Sequence, residues 1–202
     1  MRTLALSVLA ALVLAGCSGS GGSASSLTYS DPTTTGWRLV KDPSSTPGRI
    51  VLALVGPSGT TARGVGFNLQ AGAGARWATF SGGLPIQDTG VLELRNSQPD
   101  PSLPPDPDEY VLLNGGVMDG NVLTVGIFQK DRRVAAKDAS KAWLRIAIEL
   151  DAKAQAGRIP LTLKKAKVLP DDIGAYTDDP LKVLSKSHLD QIDIAVGTLQ
   201  AS

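Results

Sequence analysis

The sequence has one cysteine and one histidine, and these two scarcities exclude a good deal of chemistry. A single cysteine cannot close an internal disulfide, so Cys17 is a small buried apolar group, a reactive thiol or a modification target. A zinc site needs three or four good ligands and a catalytic triad needs a base beside its nucleophile. With His188 as the lone imidazole, neither is assembled from conventional parts. Aromatic residues are only 4% of the chain. Trp37, Trp77 and Trp143 offer stacking faces for a sugar, but aromatics this sparse more often serve the core. Charge of one sign is lacking too, with 20 Lys and Arg against 19 Asp and Glu. Without a basic excess there is no electrostatic drive toward a phosphate backbone, so nucleic acid is not an expected partner.

No hydrophobic run is long enough to span a bilayer. The longest candidate, Leu4–Ala15, is Leu, Ala and Val broken by Ser7 and preceded by Met1-Arg2. About twelve residues at 1.5 Å each make roughly 18 Å of helix, against roughly 30 Å of hydrocarbon. The pattern predicts a signal peptide over residues 1–16. It ends in Leu14-Ala15-Gly16-Cys17, which resembles a bacterial lipobox. That resemblance implies cleavage between Gly16 and Cys17, diacylglycerol on the Cys17 sulfur and acylation of the new amine. Ser18 after the cysteine resembles an outer-membrane address in a Gram-negative cell. Residues 17–35, opening with the Ser/Gly-rich stretch Ser18–Ser26, are expected to be the lipidated cysteine and a flexible linker. The folded domain is expected over 36–202.

From Trp37 onward the hydrophobic period is two. Arg49–Val55 is apolar on nearly both parities, as a buried strand is. Gly64–Gln70 places Val65, Phe67 and Leu69 on one face. Trp77–Phe80 and Val91–Leu94 are short strands. Tyr110–Leu113 and Asn121–Gln129 flank an Asp119-Gly120 hairpin signal. Ala142–Asp151 alternates, with Leu144, Ile146, Ile148 and Leu150 inward. Ile159–Leu163, Ala166–Val168 and Gln191–Leu199 follow, the last with Ile192, Ile194 and Val196 on one face. Short helical turns are expected at Asp131–Lys141 and Leu181–Leu189. Ser97–Glu109 has five prolines, too many for a ladder or a helix, and is expected to be an exposed loop. The reading is all-β: a two-sheet antiparallel sandwich of about nine strands.

From about Gly48 to Leu199, the run RIVLALVGPSGTTARGVGFNLQ, then NVLTVGIFQK, then WLRIAIELDAKAQAGRIPLTLKKAKVLPDDIG, then IDIAVGTL, resembles a cohesin module in order and pattern. The resemblance implies a jelly-roll sandwich that holds a protein partner of the dockerin type. The chain departs from the family in its Pro-rich loop and in AGAGARW, where cohesins usually carry an Asp-containing turn. Dockerin recognition depends on surface residues of one sheet that vary among cohesins, so no contact residue is transferred.

Other constellations resolve into structure. Gly56-Pro57-Ser58-Gly59-Thr60-Thr61 follows an apolar strand as a phosphate-binding loop does, but Ala62 stands where its lysine belongs and a strand follows in place of a helix. It reads as a hairpin turn. Gly64-Val65-Gly66 and Gly72-Ala73-Gly74 lack the dinucleotide spacing and mark bulges or tight bends. Ser185-Lys186 has nothing to desolvate its lysine. Asp106-Asp108-Glu109, Asp171-Asp172 and Asp178-Asp179 do not follow an EF-hand spacing and read as solvated turns. Lys164, Lys165 and Lys167 read as the wet face of a strand pair, near Lys153 and Arg158 in sequence. No catalytic residue, metal or cofactor is expected. The expectation is a non-enzymatic protein, anchored through Cys17 in the outer membrane, that binds or scaffolds a protein. The alternatives are an accessory subunit of a secretion or pilus system, and a carbohydrate-binding module or glycan hydrolase.

Overall fold

Alternation of buried and exposed side chains runs through most of the chain. The computed structural model describes residues 22–80, 91–94, 111–129, 136–170 and 189–202. In chain order the strands are β1 (Leu27–Ser30), β2 (Arg38–Lys41), β3 (Arg49–Val55), β4 (Thr61–Ala71), β5 (Ala75–Ala78), β6 (Leu92–Leu94) and β7 (Val111–Met118). They continue as β8 (Val122–Gln129), β9 (Lys137–Asp138), β10 (Leu144–Leu150), β11 (Gly157–Ile159), β12 (Leu161–Pro170), β13 (Asp190–Gln191) and β14 (Thr198–Ala201). No helix occurs among the described residues.

Two large antiparallel sheets face each other. One runs β13-β12-β4-β8-β7 with β9 also on β4, and the other β2-β3-β10-β5 with β6 also on β10. A third sheet, β1-β14-β11, joins the chain ends. In β4 the inward parity is Val65, Phe67, Leu69 and Ala71, all buried. It meets Leu123, Val125 and Ile127 of β8, Ile50, Leu52 and Leu54 of β3, and Ile146 and Ile148 of β10 in one cluster. Among the described residues no polar or charged residue is buried. The sheets are therefore held by apolar transfer and close packing, each Leu or Ile contributing roughly 1.5–3 kcal/mol.

The folded part starts before the expected Gly36. Leu27 and Tyr29 are 2% and 6% exposed, and β1 pairs with the C-terminal strand from Leu27↔Ala201 to Ser30↔Thr198. Gly22, the first described residue, is already docked: its carbonyl accepts from Ala156 N at 3.2 Å. The composition of Ser18–Ser26 is that of a linker, but Leu27 and Tyr29 bring enough apolar area to order the segment beyond it.

Two further expectations change. Asp131–Lys141 is not a helical turn where it is described: Lys137–Asp138 pairs with Thr61–Ala62, and Ala139 N donates to Thr60 O at 2.8 Å. The β3–β4 turn thus supplies the partners a helix would have found within itself. Gln191–Leu199 is not one strand. It leaves β12 after Asp190–Gln191 and crosses to the other layer, where Leu39 N donates to Ala195 O at 3.0 Å and Ala195 N to Trp37 O at 2.8 Å. Ile192, Ile194 and Val196 still pack on the core. Residues 181–188 of the second expected turn lie outside the described residues, as does Ser97–Glu109.

Tyr29 bolts the crossover in place: its hydroxyl donates to Leu39 O at 2.9 Å and accepts from Gly197 N at 2.6 Å. Burial pushes its pKa from 10.0 up to about 12, the Gly197 N–H opposing and Asp31 adding to the rise. The folded state therefore favours the neutral phenol. That contribution is whole below pH 10 and is lost as pH rises toward 12. Urea unfolding of the wild type should show stability falling across this window, and Tyr29→Phe should fall less steeply. At neutral pH the variant should be about 1–3 kcal/mol less stable, because Gly197 N–H loses its partner.

Candidate functional site

The outer faces of the two large sheets differ in how they are finished. On the five-stranded sheet, pairing aligns Arg49, Glu149 and Arg76 on one outer rung and Val51, Ala147 and Ala78 on the next. Glu149 takes Arg49 at 2.9 Å and Arg76 at 2.7 Å. Phe80 packs on Val51, Ala78 and Ala147. Above that ring lie the guanidinium carbons of Arg49, 5.1 Å from its centroid, and Arg145, at 5.7 Å. Arg145 also meets Asp42 at 3.3 Å. Burial alone would raise the Asp42 carboxyl, but hydrogen bonds from Ser44 and the Arg145 charge hold it below the usual range. This face covers its apolar patch and pairs its charges with its own side chains.

The six-stranded sheet is finished differently. Its outer rungs align Thr162, Gln70, Val122 and Met118, then Lys165, Asn68, Thr124 and Gly116. On the following rungs Lys167 meets Gly66 and Gly126, and Leu169 meets Gly64 and Phe128. Lys164, Lys165 and Lys167 are exposed and have no ion pair among the described residues. Phe128 lies over its direct partner Gly64 and, diagonally, over Gly66: a Cβ on Gly66 would come 3.3 Å from its Cζ, and one on Gly64 would overlap its Cδ1. The two glycines make a floor on which one half-buried aromatic rests beside Leu169, at one end of a surface that carries Lys167, Lys165 and Asn68 on the next rungs. Sequence reasoning finds the glycines but misses Phe128, which reads as one more strand residue until its partner's missing side chains are seen.

At the end of this sheet an open cleft of about 600 Å³ is lined by Gln70, Gly72, Gly74, Arg76, Asn121 and Lys153, among others. Asn121, at φ 58°, organises it. Its Nδ2 donates to Ala71 O at 3.2 Å and Ala75 O at 2.8 Å, while its backbone carbonyl accepts from Trp77 Nε1 at 3.0 Å. The amide of the β7–β8 turn thus ties down AGAGARW, the segment noted for lacking an acidic turn residue.

The sequence-derived candidates fall into four groups. Gly16, Cys17, His188, Ser185-Lys186 and the acidic clusters at 106–109, 171–172 and 178–179 lie outside the described residues. Among the described residues no group of three or more His, Cys, Asp or Glu is placed to hold a metal ion. The tryptophans are core: Trp37, Trp77 and Trp143 are 7%, 8% and 3% exposed, and Trp37 and Trp143 meet edge-on at 5.9 Å. Buried in this way, they present no stacking face to a sugar. Gly56-Pro57-Ser58-Gly59 is a turn, with Gly59 at φ 71° and Gly56 N donating to Ala139 O at 2.6 Å. Of the basic residues grouped by sequence, Lys164, Lys165 and Lys167 belong to β12, while Lys153 and Arg158 lie on and beside the β10–β11 loop.

No protein-family profile matches the chain, and no curated protein sequence matches it. Among solved structures it is similar to the sixth cohesin of scaffoldin B from Acetivibrio cellulolyticus, solved in complex with a mutant Cel5 dockerin. The identity is 9% and the TM-score 0.47, over 81% of this chain and 96% of that chain. It is also similar to the seventh ScaB type I cohesin from Pseudobacteroides cellulosolvens, at 9% identity and TM-score 0.44, over 81% of this chain and 87% of that one. The all-β assignment stands on the strands and registers described above.

Asn121 gives a direct check on the architecture of the cleft. Asn121→Ala removes two hydrogen bonds and leaves a Cβ residue in the left-handed region, so urea unfolding should show a loss of about 2–4 kcal/mol. Asn121→Gly keeps the backbone conformation free and should recover about 1 kcal/mol of that.

Proposed function

We propose that this protein is a lipid-anchored envelope protein whose sandwich holds a protein partner without catalysis, using the outer face of the six-stranded sheet. The observation that carries this reading is the contrast between the two outer faces. A face whose arginines, carboxylates and phenylalanine already satisfy one another has little to gain from a partner, because its pairs must be broken or desolvated on contact. A face whose Lys165, Lys167 and Asn68 side chains have no partner among the described residues, with a half-buried aromatic at one end, has interactions still to make. Interfaces commonly place such an aromatic beside polar and charged residues.

The resemblance of the sequence to cohesins supports a partner of the dockerin type. The chemistry of the face adds that the partner should present carboxylates and amides opposite Lys165, Lys167 and Asn68. Leu14-Ala15-Gly16-Cys17 supports the anchor: at about 0.8 kcal/mol per buried CH₂, two or three acyl chains make desorption negligible. Ser18 supports delivery to the outer membrane.

The test is co-purification from native envelopes with Cys17 intact. The double variant Asn68→Glu/Lys165→Glu should recover at least tenfold less of the partner that the wild type retains, which corresponds to about 1.4 kcal/mol. Lys41→Glu, on the five-stranded sheet, should recover it undiminished. Retention by the double variant, or equal loss from both at unchanged melting temperature, would contradict the assignment. For the anchor, intact mass should show diacylglyceryl and acyl groups on an N-terminal Cys17.

A further inference from the structure

The early start of the fold limits how the domain can sit on a membrane. Gly22 O accepts from Ala156 N at 3.2 Å, and Ala24 N donates to Ala154 O at 3.0 Å. Ser23 bridges Gln155, and Ser25 N and Ser26 N both donate to Ser202 O at 2.8 and 2.9 Å. The chain is thus fixed to one end of the sandwich from Gly22 onward. From Cys17 to Gly22 there are five residue steps, which at about 3.6 Å each reach no further than about 18 Å whatever their conformation.

β4 runs from Thr61 to Ala71, about 36 Å at 3.3 Å per residue. Its Ala71 end is the anchored one: Gly72 N donates to Pro160 O at 2.8 Å, and a Cβ on Gly74 would lie 3.6 Å from Ala154 Cβ. Its Thr61 end, with the Pro57-Ser58-Gly59 turn, is the distant one. The tether is therefore shorter than the domain it carries.

Resting on the lipid anchor proposed above, we infer that the β10–β11 loop forms the membrane-facing pole of the domain and lies on the phospholipid headgroup layer. Lys153, Gln155, Ala156 and Arg158 are exposed there. Two cations and an amide outweigh the one exposed carboxylate of this loop, Asp151, and among small residues they suit a surface that rests on phosphates and does not insert into acyl chains. Two consequences follow for the sites described above. The cleft organised by Asn121 opens at the lipid end. The docking face stands up from the membrane, with its strands running away from it, so a partner reaches it from the side.

The full-length lipidated chain, reconstituted in phosphatidylethanolamine and phosphatidylglycerol vesicles, tests this. Cys17 is the only cysteine and its sulfur is blocked by lipid, so Lys153→Cys or Ser58→Cys can be labelled singly with a fluorophore. Quenching by nitroxide-headgroup lipid should be severalfold stronger at position 153 than at position 58. A 20-residue Gly/Ser insertion between Ser20 and Gly21 should bring the two toward equality. Equal quenching at native spacing, or a difference the insertion leaves unchanged, overturns the inference with the anchor intact. Protein that stays in the supernatant when the vesicles are sedimented, with a free Cys17 thiol, overturns the anchor itself.

Discussion

A strand that gives one parity of its side chains to the core must give the other parity to whatever lies outside, and β4 is where this constraint governs the molecule. Burying Val65, Phe67 and Leu69 obliges Gly66, Asn68 and Gln70 to face out, because a one-residue slip would exchange the two sets. β8 and β12 pair with β4 on either side, so their parities are set by the same choice. Lys165 and Lys167 are turned outward by the pairing that turns Ala166 and Val168 in. The composition of the candidate docking face is thus a by-product of the register that builds the core.

What distinguishes this face from its counterpart is the treatment of charge and apolar area. β3 is buried on both parities, which the inner layer alone does not explain. Its outer Val51 is covered by Phe80, and two arginines lie across that ring. Glu149 and Asp42 then neutralise those arginines in half-buried pairs. Among the described residues the lysines of β12 in the six-stranded sheet have no ion pair, and its aromatic rests on glycines where other side chains would have enclosed it. A surface of this kind stays soluble through its charge and keeps its pairing capacity for something else.

Much of the architecture is legible in the sequence because the strands rest on simple alternation. Arg49–Val55 reads as a buried strand and is β3, and Gly64–Gln70 lies within β4. The reading fails where tertiary pairing overrules local pattern. The run Gln191–Leu199 looks like one strand, but its backbone partners sit in two different layers, which no period reveals. Leu27 and Tyr29 sit beside a Ser/Gly stretch and read as part of its linker, although their partner is the far end of the chain. The candidate site is less legible than the fold. The lysines of β12 are visible as a wet face, but Phe128 on its glycine floor depends on a diagonal cross-strand contact. Asn121 depends on an unusual backbone angle and on carbonyls about fifty residues away.

Which face meets the partner is read most directly by lysine footprinting of the co-purified complex. Acetylation of the free protein and of the complex, compared by mass spectrometry, should show Lys165 and Lys167 protected by the partner, with Lys41 on the five-stranded sheet reacting as before. Protection of Lys41 with Lys165 and Lys167 left fully reactive would contradict the assignment.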